Sequence, residues 1–411
     1  MRTIQAGAFD GVQAMNTHAL QPAERNHAFA HLRAFVTVLV VAHHAVLAYH
    51  PYAPPARAFD SALLTWAAFP IVDTQRWSGI DLFVGFNDAF FMALMFLLSG
   101  LFVGPSLQRK GSAAFLRERG LRLGLPFLLC AAILAPLAYY PAWLQIGSDS
   151  SLSAYARAWL SLGVWPAGPA WFLWVLFAFD VLAVLACRMA PRWAESFGRF
   201  IGTRSPLAFF GWLAAIGAAV YVPLTLIVNP MTWASFGPFF VQTARVPLYA
   251  SYFAIGIALG AWGIERGVFA AAGKLARRWW LWPNVAILAY AVLVGLFIAF
   301  MIAASKQQRT DGLELAASIA FTVSCAASSL SLIAIFLRYG QRPSAIFESL
   351  SRNAYGIYIV HYVFVIWLQF ALLGANLPGA AKGSLVFLGA LGASWMTVAG
   401  LRRVPAIARV I

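Results

Sequence analysis

The chain has 411 residues, of which 62% are hydrophobic and only 10% carry a charge. A soluble domain has about 25% charged residues, so this composition excludes an ordinary soluble globular protein. The formal net charge of +15 fits either a nucleic-acid partner or the positive-inside rule of membrane proteins, and the positions of the basic residues decide between them.

Apolar segments of spanning length follow one another along the whole chain. They predict an all-α fold, a polytopic transmembrane helix bundle of about ten spans without a separate soluble domain. The predicted spans cover approximately residues 30–50, 80–103, 123–143, 168–187, 206–228, 246–264, 281–304, 314–337, 353–373 and 383–401.

The distribution of Lys and Arg residues predicts the orientation of this bundle. If residues 1–29 form a cytosolic tail and Arg33 at the start of the first span is counted with it, every cytosolic segment carries more Lys and Arg than any outer segment. The positive-inside rule then favours both termini in the cytosol, with a membrane domain over residues 30–403 and a short cytosolic tail over residues 404–411. The basic charge therefore needs no nucleic acid as a partner.

The first predicted span has an arginine near its start and two adjacent histidines in its middle. Arg33 and His44 are eleven residues apart, close to three helical turns, so they share one face and lie roughly 16 Å apart along the axis. Ionisable side chains within a membrane are costly, so we interpret His44 as functional. The neighbouring His43 fits a structural role better, but the spacing does not exclude it.

The two longest outer loops are rich in proline and tryptophan. They cover Pro51–Gly79 and Trp143–Gly168. This composition predicts either an aromatic belt at the membrane interface or a surface that faces carbohydrate.

The second predicted span contains Asp81 and Asp88 in the sequence SGIDLFVGFNDAFF. Asp88 lies deeper and is the candidate to orient His44 through the second ring nitrogen of the imidazole. A role in helix packing is the alternative for Asp88.

A basic segment, residues 104–126, follows the second predicted span. Segments of this kind are commonly topology signals or binding sites for anionic lipids. Arginine forks also match phosphate oxygens, and Arg119 and Arg122 share a helix face, so we predict that the segment binds a phosphorylated cofactor. The cofactor-binding candidates are Arg119, Arg122, Arg117, Arg109 and Lys110.

The ninth predicted span contains His361 at the end of the sequence SRNAYGIYIVH. It lies roughly 12–14 Å from the cytosolic side, a depth similar to that of His44. Two imidazoles at one depth can line one cavity, with an interhelical hydrogen bond as the structural alternative. A neutral histidine can accept a proton from a hydroxyl and return it to a thiolate. The candidate catalytic residues are therefore His44 and His361, together with Arg33 and Asp88.

The cysteines give no support for a metal site. Cys130, Cys187 and Cys325 lie in apolar segments without the spacing of metal ligands, so we expect neither a metal nor a disulfide framework. Asp180 in the fourth predicted span is also unusual, but no motif surrounds it.

Several motifs in this order resemble those of the acyltransferase-3 integral membrane proteins, which include O-antigen acetylases and glucan-succinylating proteins. The resemblance covers nearly the whole chain. It rests on the spacing of Arg33 and His44 and on the sequences FFMALMFLLSG, FLRERGLRLGLP, WFLWVLF and NAYGIYIVH.

The resemblance implies an enzyme of the bacterial cytoplasmic membrane. Such an enzyme transfers an acyl group from cytosolic acyl-CoA, either acetyl-CoA or succinyl-CoA, to a hydroxyl of an extracytoplasmic glycan or lipid-linked sugar. The essential arginine and histidine of the family fall on Arg33 and His44, and its paired arginines fall on Arg119 and Arg122. Because the chain ends soon after the last predicted span, we expect the stand-alone branch, without a fused outer domain.

A proton-coupled secondary transporter or flippase is the alternative function. It would use the intramembrane His and Asp residues as a proton relay and would not consume a thioester. The sequence identifies neither the acyl group nor the acceptor. It also leaves open direct transfer or transfer through an acyl-histidine.

Overall fold

The computed structural model describes residues 27–57, 67–147 and 149–411. Most of the predicted N-terminal tail, residues 1–26, and part of the first outer loop lie outside these ranges. Among the described residues, ten helices are long and apolar enough to cross a membrane, which confirms the predicted helical bundle and its number of spans. Spans 1 to 10 are His27–Tyr49, Ile80–Lys110, Ser112–Gln145, Gly168–Met189, Pro206–Thr225, Thr243–Trp262, Leu281–Ser305, Asp311–Tyr339, Ala345–Ala371 and Gly379–Leu401.

Span 1 starts slightly before its predicted boundary at residue 30. Its α-helix runs from His27 to Val46, and a 3-10 turn, Leu47–Tyr49, follows. His50 is extended because it precedes Pro51, whose ring disfavours a helical backbone in the residue before it. The proline therefore fixes the end of span 1.

Span 1 lies in the middle of the bundle. It packs against spans 2, 8, 9 and 10, and Leu32, Val36 and Val40 are almost fully buried in these contacts. Span 7, by contrast, packs mainly on span 8 and leaves most of its apolar surface exposed. The histidines of span 1 are therefore surrounded by other helices.

Span 3 is irregular because a proline interrupts its hydrogen bonds. Two short π-helical segments, Gly120–Gly124 and Cys130–Leu134, lie on either side of Pro126. Pro126 has no backbone N–H, so the carbonyl of Arg122 loses its usual helical donor. The hydroxyl of Tyr355 in span 9 donates to that carbonyl instead.

A second proline in span 3 is compensated in the same way. Pro141 removes the usual donor to the carbonyl of Leu137, and the indole N–H of Trp367 in span 9 donates to this oxygen at 2.9 Å. A membrane interior offers no water to such groups, so neighbouring helices must supply the partners. Spans 3 and 9 are therefore joined by two hydrogen bonds at proline sites.

A segment between spans 1 and 2, residues 67–79, packs on the end of the bundle that is farther from Arg33. A fully buried ion pair of 2.7 Å between Asp73 and Lys382 of span 10 holds it in place. The side-chain amide of Gln145 also pairs with the backbone of Val72, at 3.1 Å and 2.6 Å. The segment is therefore a fixed part of the fold.

The remaining elements are short. A β-hairpin between spans 5 and 6 pairs β1, Trp233–Phe236, with β2, Phe239–Gln242, in antiparallel register with Trp233 opposite Gln242. The short α-helices outside the spans are Leu152–Ser161, Trp193–Gly202, Lys274–Arg277 and Pro405–Ala408.

Candidate functional site

The structure brings His44 and His361 together inside the bundle. Their ring centroids are 5.3 Å apart, and Nε2 of His361 lies 3.4 Å from Nδ1 of His44. His361 is fully buried, whereas His44 keeps part of its surface accessible. Two histidines that are far apart in sequence thus form one pair.

Backbone hydrogen bonds assign the tautomers of this pair. Nδ1–H of His44 donates to the carbonyl of Val40 at 2.8 Å, and Nδ1–H of His361 donates to the carbonyl of Tyr358 at 2.7 Å. The bond made by one ring nitrogen determines which nitrogen carries the proton. Nε2 of His44 therefore keeps its lone pair, and no hydrogen-bond partner contacts it among the described residues.

His43 points to a different side of span 1. Its ring stacks on Phe91 of span 2, with centroids 5.2 Å apart and 28° between the planes. It is buried, and its Nδ1 has no hydrogen-bond partner in the described part of the chain. The structure thus groups His44, rather than His43, with His361.

Asp88 does not orient His44. The guanidinium of Arg245, at the start of span 6, donates to the Asp88 carboxylate at 2.6 Å and to its backbone carbonyl at 3.1 Å. The side chain of Arg245 is only 7% exposed, and a buried guanidinium needs an acceptor. The predicted contact is therefore replaced by this ion pair, and Val40 and His361 contact Nδ1 of His44.

Arg33 is exposed at the opposite end of span 1 from the residue 67–79 segment. Its guanidinium lies over the ring of Phe102, 5.0 Å from the centroid. No carboxylate among the described residues forms an ion pair with it, and Arg119 and Arg122 are the charged groups that act on it electrostatically. Three arginines are thus grouped at this end of the bundle, an arrangement suited to a polyanion.

Three of the five predicted cofactor-binding cations have acidic partners, and two of these three are the arginines that act on Arg33. Nε of Arg119 lies 3.2 Å from the carboxylate of Asp180, which is fully buried and lies in span 4. Nη1 of Arg122 lies 3.9 Å from Glu118, so that contact is weak. Asp180 is thus the acidic neighbour of Arg119, a pairing that the sequence analysis missed.

The other three predicted cations are not among the charges that act on Arg33. Lys110 forms an ion pair with Glu118. Arg109 and Arg117 are exposed, and neither has an ion-pair partner within the described ranges. We therefore call Arg119 and Arg122, the two charges that act on Arg33, the inner group, and Arg109, Lys110 and Arg117 the outer group; Arg122 of the inner group is itself exposed.

The sequence NAYGIYIVH connects the arginines with the histidine pair. The hydroxyl of Tyr355 donates to the carbonyl of Arg122, and the hydroxyl of Tyr358 donates to the carbonyl of Pro169 at the start of span 4. Between them, Gly356 packs so closely on Val398 that a Cβ atom would lie 2.5 Å from its side chain. This motif fixes span 9 against spans 3, 4 and 10.

Comparison with known proteins gives one family. A family model described as an acyltransferase domain, of the acyltransferase-3 type, matches residues 26–400. The search of curated proteins found no match, and the search of solved structures found none either.

Proposed function

The chain belongs to the acyltransferase-3 family, and on this premise we propose that it is a multi-pass O-acyltransferase of the bacterial cytoplasmic membrane. The proposed donor is cytosolic acyl-CoA, and the proposed acceptor is a hydroxyl of an extracytoplasmic glycan or lipid-linked sugar. The observation that carries the proposal is His44, whose Nε2 has no partner among the described residues, on the same helix face as Arg33, which is grouped with Arg119 and Arg122 of span 3 at the end of the bundle.

The arginine cluster supports the binding of a phosphorylated donor from the cytosol. We assign this end of the bundle to the cytosol because Lys and Arg are concentrated in its loops. Arg33, Arg119 and Arg122 would bind the phosphate groups of CoA, while Arg109 and Arg117 would raise the local concentration of the anion.

His44 is the proposed general base. Its Nε2 takes the proton of the acceptor hydroxyl as the oxygen attacks the thioester carbonyl, and the tetrahedral intermediate then expels the CoA thiolate. The thiolate receives the same proton from Nε2–H, which restores neutral His44. In this direct route no group on the enzyme is consumed, and the products are an ester and free CoA thiol.

His361 is the proposed positioning residue for His44. When His44 is protonated at Nε2, its Nδ1–H is shared between the carbonyl of Val40 and the lone pair on Nε2 of His361. Both acceptors stabilise the imidazolium and hold the ring in place. This is the role that the sequence analysis assigned to Asp88.

Arg33 is better suited to bind the donor than to act on the reacting carbonyl. It lies roughly 16 Å from His44 along the axis of span 1, further than a single side chain extends. A donor with a long flexible arm between its phosphates and its thioester bridges that distance.

The two adjacent histidines provide the test. Membrane vesicles that contain the protein are incubated with acetyl-CoA and succinyl-CoA labelled in the acyl group, and free thiol and label in the glycan and lipid fractions are measured. We expect His44→Ala to abolish transfer and His43→Ala to retain most of it. Wild-type rates in a folded His44→Ala protein, or proton-dependent substrate flux without thiol release, would contradict the proposal.

A further inference from the structure

A small cavity lies next to the histidine pair. Its volume is about 20 Å³, it is open on one part of its boundary, and spans 3 and 9 and the start of span 4 line the rest. Tyr362 is one wall, and its ring packs edge-on against His44 with centroids 5.3 Å apart. Tyr358 is another wall, and its ring centroid lies 5.9 Å from that of His361. The cavity therefore shares two side chains with the surroundings of the candidate base.

The lining of this cavity is uncharged. Besides the two tyrosines, alanine, leucine, isoleucine, valine, proline and Cys130 line it. The hydroxyl of Tyr358 already donates to Pro169, and that of Tyr362 donates to the carbonyl of Ala67 at 3.2 Å. A carboxylate placed here would have no cation and no free donor, and such burial is strongly unfavourable.

The size of the cavity limits what it can hold. A water-sized group needs roughly 10–15 Å³ of such space, so 20 Å³ holds one methyl group but not a chain of several heavy atoms. Most of the lining side chains are buried and packed, which opposes widening of the cavity for a longer group.

We propose that this cavity is the acyl pocket of the enzyme and that it selects acetyl-CoA over longer or charged acyl donors. The inference rests on the proposed function and names the acyl group that the sequence left open. The acyl methyl enters between Tyr358 and Tyr362 while the thioester carbonyl faces His44. Succinyl is excluded twice, by its length and by its carboxylate.

Chain-length profiles test the pocket. Thiol release is measured with acetyl-, propionyl-, butyryl- and succinyl-CoA for the wild-type protein and for Val363→Ala, which enlarges the cavity. Val360→Ala is the matched control, because it makes the same change on the same span without lining the cavity. Ala138→Val tests the opposite change by filling the cavity.

For the wild-type protein we expect kcat/KM to fall by roughly 10-fold or more for each added methylene, with succinyl-CoA nearly unused. Val363→Ala raises the ratio of propionyl to acetyl transfer roughly 10-fold, Val360→Ala leaves it unchanged, and Ala138→Val lowers acetyl transfer. Efficient wild-type use of succinyl-CoA, or equal profiles for the two valine variants, would overturn the acyl pocket and leave the proposed function intact. Release of no thiol from any of the thioesters would refute the proposed function and this inference with it.

Discussion

The ion pair between Asp88 and Arg245 predicts an unequal effect of removing its two partners. Asp88→Ala leaves the guanidinium of Arg245, only 7% exposed, without its countercharge, and loss of one partner from a buried pair costs about 3–5 kcal/mol. Asp88 lies at the surface of the bundle, with 44% of its side chain exposed, so its replacement disturbs little packing and the loss comes from the unpaired guanidinium.

Removing the other partner costs less. Arg245→Met keeps most of the side-chain volume and leaves a carboxylate that can take up a proton and become neutral, which a guanidinium cannot do, so we expect a smaller loss of about 1–3 kcal/mol. The double variant removes both charges and recovers most of the loss caused by Asp88→Ala. A double-mutant cycle therefore gives a large coupling energy between the two positions.

The assay is unfolding of the purified protein in mixed micelles by increasing SDS, followed by tryptophan fluorescence, with thiol release from acetyl-CoA measured on each folded variant. Equal losses for the two single variants, without recovery in the double variant, would show that the two residues are not coupled. If Asp88→Ala stays as stable as the wild type but loses activity as His44→Ala does, Asp88 takes part in the chemistry and our assignment is wrong.

Three further predictions concern the catalytic pair, the donor site and span 9. His361→Ala removes a hydrogen bond to the His44 imidazolium that is worth about 1.5–3 kcal/mol. We therefore expect kcat to fall roughly 10- to 100-fold while the KM for acyl-CoA stays unchanged. His361→Gln retains more activity than His361→Ala. Arg33→Gln raises that KM roughly 10-fold while kcat is largely kept, whereas Arg109→Gln has a smaller effect that disappears at high salt. Tyr355→Phe lowers the free energy of unfolding by about 1–3 kcal/mol, because the carbonyl of Arg122 loses its donor. Tyr339→Phe, a control at an exposed position, leaves the free energy of unfolding unchanged. Equal free energies of unfolding for the two variants would contradict this role of Tyr355.

The sequence predicts the helical bundle and its ten spans well because the hydropathy of each segment is enough to identify it as a span. A membrane helix needs about 20 apolar residues, and this requirement is met locally, without reference to the partner helices. The proximity of His44 and His361 is also accessible to sequence reasoning, because helical rise places both at a similar depth.

Partner choice is what the sequence could not predict. An ionisable residue within a span indicates that a partner exists, but the partner depends on which helices are neighbours and how they are rotated. Asp88 therefore forms its ion pair with Arg245 and does not contact His44, and Asp180 lies against Arg119. Arg245 and Asp180 could be noticed in the sequence, because each is a charged residue in or beside an apolar segment. Which residue each one pairs with is determined only by the packing of the helices.

The proline sites of span 3 have a consequence for biogenesis. The hydroxyl that donates to the carbonyl of Arg122 belongs to Tyr355, 233 residues later in the chain. The indole that donates to the carbonyl of Leu137 belongs to Trp367, 230 residues later. At a synthesis rate of about 5–20 residues per second, this delay is about 10–50 s. During that time span 3 is already made but lacks two of its final hydrogen bonds. The helix that carries the inner arginines therefore reaches its final geometry only when span 9 leaves the ribosome, which links assembly of the donor site to nearly complete translation.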